Sequence, residues 1–443
     1  MIEIICTHTF FARACACVFA SQSLCHSTQT YICQELPQSF VSENIVMHEL
    51  KKRDYQKVRP LFKELEWNLI ISAVIEGTSP GRVYVDHVKD PKTAFICSVE
   101  GYYLAGNDNN DEFNNSLNKL IFESIFAGDT VRKDETDVAI GFHPDSWKEK
   151  MPIIFNGRIP LTTARRHYVC TKLKEKSWRD HAPKGFQVQR IDEKLLQTPH
   201  LEIPEHMTDW MKTNWGSISD FMKKGFGFCT LHDKRIVSWS IADCANDDAC
   251  EIGIHTHEDY RRQGLATLTA AAAVDYSLSE GFRQVGWHCD EYNLGSIGVA
   301  EKVGFKLERK YVQCYACANE AHHLGETAQF YYRAKRYKEA IESYEKFFAT
   351  PLEELPKWLR EILPQELGTH YFRVALAEVA IGENEGALEY LDKAVDAGWL
   401  HIDFLKSCKE FESMHETPAW NKILRKIQKE TEKARLAKEI PSC

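Results

Sequence analysis

From residue 47 onward, apolar positions switch between helical and alternating spacing, and the switches predict the elements of this chain. Helical spacing over residues 55–65 gives way to strands at 82–85, 93–97 and 102–105, the last two joined as a hairpin at Glu100-Gly101. Asn107-Asp108-Asn109-Asn110 reads as a loop. A helix over 116–126, a strand at 138–142 and a helix over 144–151 complete a first block.

A second block begins with an alternating strand at 186–190 and helical material as far as 222. Strands at 226–231 and 236–241 then flank His232-Asp233-Lys234-Arg235 as a hairpin. A strand over 249–257 leads to a helix over 264–279, whose Leu265 to Val274 run is rich in strong helix formers. A strand at 284–289, a short helix over 294–303 and a strand over 305–315 finish the block. From 325 to 437 the spacing is helical throughout.

The 443 residues are 44% hydrophobic, enough for two or three cores. A formal net charge of -9 and the lack of a dense Lys/Arg stripe argue against a nucleic acid partner. Residues 4–20 are apolar, but Arg13 and His8 interrupt them, and no later run reaches ~18 apolar residues, so no membrane span is expected. Residues 1–46 are expected to be a disordered extension or the product of an upstream start site, with secretion as the alternative. The fifteen cysteines are scattered, as in a reducing cytoplasmic protein. Cys314-x-x-Cys317 with His322-His323 lacks a zinc-finger spacing, and His255-x-His257 lacks a third ligand, so no metal is expected.

The chemistry concentrates at Arg261-Arg262-Gln263-Gly264-Leu265-Ala266, between a strand and a helix. A helix that starts in a basic turn offers free N–H groups and its positive dipole end to an anion such as a pyrophosphate. Gly264 keeps a Cβ out of the way, and Arg261 and Arg262 add charge. On the preceding strand, period two sends Ile252 and Ile254 to one face and Glu251, Gly253, His255 and His257 to the other.

The turn resembles motif A of the GNAT acyltransferase superfamily, Q/R-x-x-G-x-G/A, with Arg261, Gly264 and Ala266 in its fixed positions. The downstream strand, Asn293, Ser296 and Ala300-Glu301-Lys302-Val303-Gly304-Phe305 follow in the order of that family. The resemblance implies an α/β (α+β) GNAT fold with acetyl-CoA as co-substrate and an amine as acceptor. It implies cofactor contacts at Ile254, at Arg261, Arg262, Gln263, Gly264, Leu265, Ala266 and Thr267, and at Asn293 and Ser296. It further implies a bulge in this strand, with Gly253 as a bulge or close-approach position, an oxyanion donor among the N–H groups of Ile254 or His255, and Glu251 as general base, with His255 and His257 as second candidates. A carboxylate desolvated beside the cofactor is expected to have a raised pKa.

Many members place a tyrosine acid where this chain has Ala300, which leaves Tyr292, Cys289 or solvent to protonate the thiolate. Trp239 and Trp287 are read as core residues before cleft residues. The first block resembles a degenerate second GNAT-like half, as in bacterial GNAT acetyltransferases of the zwittermicin-resistance type. Residues 330–346 and 371–398 resemble tetratricopeptide hairpins, closed by a helical piece over 404–420. The expected domains are therefore 47–178 (degenerate half), 184–318 (catalytic) and 325–437 (helical repeats, for a protein partner or self-association). The alternative is a scaffold in which the repeats carry the function.

Overall fold

The computed structural model describes residues 47–129 and 135–439; the expected extension at 1–46 lies outside them. The chain forms two compact units. One takes in the described residues before 130 together with Ala139–Gly157 and Thr163–Cys314, and the other takes in Glu135–Val138, Arg158–Thr162 and the chain from Tyr315 onward.

The strands are β1 (His48–Glu49), β2 (Gly81–Val85), β3 (Thr93–Ser98), β4 (Tyr102–Gly106), β5 (Asp137–His143), β6 (Leu161–Cys170), β7 (Phe186–Arg190), β8 (Gly227–His232), β9 (Arg235–Ala245), β10 (Ala249–Thr256), β11 (Gln284–Asp290) and β12 (Lys306–Cys317). They make one mixed sheet in the order β1-β2-β3-β4-β5-β12-β6-β11-β10-β9-β8-β7. The strands of residues 48–143 and those of 161–317 thus share one sheet. β7 to β10 run as an antiparallel meander, after which β10 pairs parallel with β11.

In the first unit, helix α1 (Leu69–Glu76) is buried along nearly its whole length and ends at the left-handed Gly77. Tyr55, Val58, Phe62 and Leu65 point inward from the helical segment Lys52–Leu65, as the spacing predicted. The helix expected at 116–126 starts earlier, at Asp111, because the Asn110 side chain accepts the Phe113 N–H at 3.0 Å and caps it. Helix α2 (Glu205–Trp215) carries His206, Trp210 and Asn214. Helices α3 (Leu265–Ser279) and α4 (Leu294–Val303) follow β10 and β11. The α3 residues Leu268 and Ala270 to Val274 join Cys250, Ile252, Val285 and Trp287 in the main core.

The second unit is helical from Glu320. Helices α5 (Glu320–Arg333) and α6 (Tyr337–Phe348) pack as one pair, and α7 (Lys357–Ile381) and α8 (Asn384–Asp396) as the next, with α9 (Pro418–Glu439) against α8. Its core joins Tyr344, Phe372, Leu391, Trp399 and Trp420. Among the described residues no helix is long and apolar enough to cross a membrane.

Candidate active site

The site begins where two parallel strands part. β10 and β11 share three register pairs, Ala249↔Gln284, Cys250↔Val285 and Glu251↔Gly286. Beyond them β10 pairs only with β9, and β11 only with β6. A wedge therefore opens between Ile252–Thr256 and Trp287–Asp290, with backbone groups along both walls. The register with β9 slips at the same level. Glu251 faces Cys244 and Ile252 faces Ala242, so Asp243 is the extra residue of a bulge. The sequence offered Gly253 as a bulge or close-approach position; the bulge lies one step earlier, with its extra residue on the partner strand, and Gly253 is a close approach, where an added Cβ would meet the Asp243 oxygens at 2.9 Å.

β10 leads through Glu258–Tyr260 into the turn, where Arg262 has φ 66° and Gly264 φ 83°. Gly264 is the N-cap of α3 and offers no side-chain acceptor. The first helical bond there runs from Leu268 N–H to Gly264 O, so the N–H groups of Leu265, Ala266 and Thr267 have no partner within the helix. Nothing lies within 4 Å of a Cβ placed on Gly264, so the turn needs glycine for its φ, and the space beside it is open. Arg261, Arg262 and Gln263 are exposed, and Arg261 Nε donates to Thr256 O at 3.1 Å. This is an anion cradle at the end of the wedge.

Asn293 and Ser296 stand at the start of α4, beyond the other wall. Asn293 Oδ1 accepts the Ser296 N–H at 3.0 Å, and Ser296 Oγ accepts Trp287 Nε1 at 2.9 Å. Trp287 and Trp239 are buried core residues. Ala300 is fully buried, Tyr292 is 62% exposed, and burial raises Cys289 to about 11.

Glu251 sits at the tip of the wedge, 5% exposed. Its Oε1 accepts the Leu69 N–H at 3.0 Å and lies 3.1 Å from His288 Nε2. Gly286 makes this reach possible: a Cβ there would fall 2.7 Å from Glu251 Cγ. Burial pushes the carboxyl up, but the His288 charge and hydrogen bond, the His167 charge and the Leu69 N–H outweigh it, and the group is held below its ordinary range. The expectation of a raised pKa is thus corrected, because the sequence did not reveal these donors.

Around Glu251 the polar groups form a chain. Arg165 Nε donates to Tyr311 Oη at 3.0 Å, and Tyr311 Oη lies 2.9 Å from His288 Nδ1. Since the guanidinium only donates, the Tyr311 proton turns to Nδ1, and His288 Nε2–H donates to Glu251. His167 stacks on His288, with centroids 4.4 Å apart, and Trp67 covers both rings and Tyr311. His167 comes from β6, a strand the sequence pattern did not reveal, and faces His288 directly in register.

His255 lies further along β10 in different company. It packs on His206 at 4.4 Å and stacks on Trp239 at 5.7 Å, and burial with the neighbouring His206 and Arg261 holds it down at about 4. No hydrogen bond joins it to Glu251. Asp243 turns onto Gly253 and accepts Trp210 Nε1 at 2.6 Å; burial, then the Glu100 carboxylate, pushes it well above the usual range. In the Cys314-x-x-Cys317 and His322-His323 stretch, His323 accepts Cys317 N–H and binds Ile159 O, so both its ring nitrogens serve the backbone.

The sequence profile of the GNAT acetyltransferase family matches residues 59–314. The chain is 28% identical over 273 residues to the uncharacterized N-acetyltransferase YdfB of Bacillus subtilis (strain 168), a match covering 61% of this chain and 99% of YdfB. Among solved structures, a GCN5-related N-acetyltransferase-like protein from Streptococcus suis 89/1591 aligns with a TM-score of 0.45 at 23% identity, over 59% of this chain and 98% of its own. A tandem GNAT protein from the clavulanic acid biosynthesis pathway aligns with a TM-score of 0.39 at 12% identity, over 61% and 98%. With its profile spanning more than half of the sequence, the chain belongs to the GNAT acetyltransferase family and is an acyltransferase.

Proposed function

We propose that the protein transfers an acetyl group from acetyl-CoA to an amine by direct attack on the thioester, in the cytoplasm. The observation that carries this reading is the parting of β10 and β11 beyond Glu251 and Gly286, above a basic turn with an uncapped helix start. The pyrophosphate sits on the N–H groups of Leu265, Ala266 and Thr267, with Arg261, Arg262 and Gln263 around it and Gly264 leaving room. The pantetheine arm lies along Ile254 and its neighbours on β10, within reach of Asn293 and Ser296 across the wedge. A β10 N–H at Ile254 or His255 faces the thioester oxygen, where negative charge develops.

Glu251 takes the proton of the amine, directly or through water, as bond formation to the carbonyl carbon proceeds and the CoA thiolate departs. The thiolate has a reference pKa of ~8.5 and leaves without a dedicated acid, consistent with Ala300. His288 orients the carboxylate, and His255 lines the acceptor side. The helical unit, whose paired helices resemble tetratricopeptide hairpins, takes a protein partner or a second copy.

Calorimetric titration with CoA tests the reading. Gly264→Trp fills the open side of the turn, and Arg261→Glu with Arg262→Glu reverses its charge on exposed positions. Each is expected to weaken CoA binding by at least about tenfold, or 1.4 kcal/mol. Wild-type affinity in both variants, each folded by circular dichroism, would overturn the assignment of this turn.

A further inference from the structure

His167, Glu251 and His288 stand on three neighbouring strands, β6, β10 and β11, and bring one donor atom each within 4.8 Å of one another. We propose that this cluster binds a divalent cation of the zinc class through His167 Nε2, His288 Nε2 and a Glu251 oxygen. Two imidazoles and a carboxylate are a donor set that Zn²⁺ accepts readily.

The outer groups already orient the rings. His167 Nδ1 lies 2.8 Å from Glu308 Oε2, and a carboxylate there fixes the proton on Nδ1, leaving Nε2 as a lone pair. His288 Nδ1 lies 2.9 Å from Tyr311 Oη, itself held by Arg165. A carboxylate behind His167, and behind His288 a phenol oxygen that accepts once Nδ1 carries the proton, are the arrangement that supports metal-binding histidines. Leu69 N–H similarly fixes Glu251.

A second observation points to a missing partner. His167 is only 3% exposed, yet its Nε2 makes no hydrogen bond among the described residues. That nitrogen would lie 3.3 Å from a Cβ on Gly286, over the same side-chain-free space into which Glu251 reaches. An unpaired nitrogen of a largely buried ring and a buried carboxylate face one gap.

The 3.1 Å separation of Glu251 Oε1 and His288 Nε2 is close to the edge of a tetrahedron with zinc bonds of about 2.0–2.1 Å, roughly 3.3 Å. The cation replaces the proton between these two atoms, so the loaded form cannot use Glu251 as the base and is inactive in acyl transfer, and His288 takes the tautomer in which Nδ1 donates to the Tyr311 oxygen. Bringing His167 onto the ion requires its ring to swing out of the stack on His288. Glu308, 41% exposed at its side chain, is free to follow.

The full-length protein, freed of metal with a chelator, is titrated with Zn²⁺ by calorimetry and with Co²⁺ by visible absorption. One equivalent is expected, with a Kd of about 1 μM or tighter at pH 7.5. His167→Gln abolishes this binding, and Glu308→Gln weakens it about 10–100-fold. His257→Gln leaves it unchanged. The absence of binding, equal affinity in both site variants, or an intense sulfur-to-cobalt band placing the ion on cysteines would overturn the proposal. The titration involves no acyl transfer, so its failure leaves the proposed function standing, and failure of CoA binding leaves this site standing.

Discussion

Asp243 and Glu251 use one structural device for opposite ends. Each is a buried carboxylate laid over a glycine of the next strand, Asp243 over Gly253 and Glu251 over Gly286. Asp243 receives Trp210 Nε1 and the Gly253 N–H, but burial and the Glu100 carboxylate, held across Asn214, drive it toward its neutral form. Glu251 receives Leu69 N–H and His288, with His167 beside it, and stays ionised. Burial is common to both. The neighbours decide which can act as a base and which serves as a neutral bulge residue.

The two glycines offer the sharpest way to break this comparison. An added methyl at position 286 meets Glu251 Cγ at 2.7 Å, an atom in mid-chain that cannot yield without moving the carboxylate off His288. At position 253 it meets the Asp243 oxygens at 2.9 Å, the far end of a short side chain. Urea unfolding should show Gly286→Ala losing about 1–3 kcal/mol and Gly253→Ala less. Equal losses would remove the asymmetry between the two sites.

The pH dependence of stability separates them next. His167 titrates near 4 in the fold and near 6.5 unfolded, so the unfolded chain takes up the proton first. Its contribution is complete above about pH 6.5 and is lost as pH falls through about 4. Asp243 has the opposite sign. Its raised pKa gives stability below its unfolded value, lost as pH rises through the folded one. Thermal melts should show His167→Gln flattening the acid side and Asp243→Asn flattening the alkaline side. Unchanged slopes in both would refute these protonation states.

The smallest effect is expected for Asp243→Asn at pH 7. The amide oxygen can still accept from Trp210, and little charge is removed, so stability should change by less than about 1 kcal/mol. A large loss would mean that Asp243 is ionised in the fold.

The sequence was most legible where local chemistry decides the structure. The β10–turn–α3 unit stands where strand spacing, Gly264 and the helix-forming run placed it, and the β8–β9 hairpin likewise. Boundaries moved where caps intervened, as at Asn110. What stayed hidden depends on distance along the chain. Leu69 is 182 residues from Glu251, and His167 lies on a strand whose polar Thr162 to His167 stretch shows no clean alternation. Glu251 could be chosen from its strand, but the sign of its pKa shift could not, because every donor that sets it comes from another element. His255, chosen on the same alternation, stands in the aromatic cluster with His206 and Trp239 instead.

The central claim is that Glu251 is the base at the tip of the wedge. A panel of primary amines, scored by free-thiol release from acetyl-CoA, supplies an acceptor, and Glu251→Gln is then compared with wild type for turnover and for CoA affinity. The account predicts a fall in kcat of about 10²–10⁴-fold, with the Kd for CoA within about threefold. Because Glu251 is held low, it is ionised throughout the neutral range, so the loss should persist from about pH 6 to 8 and shrink only where the amine is itself neutral. Turnover unchanged in a folded Glu251→Gln protein would contradict the claim.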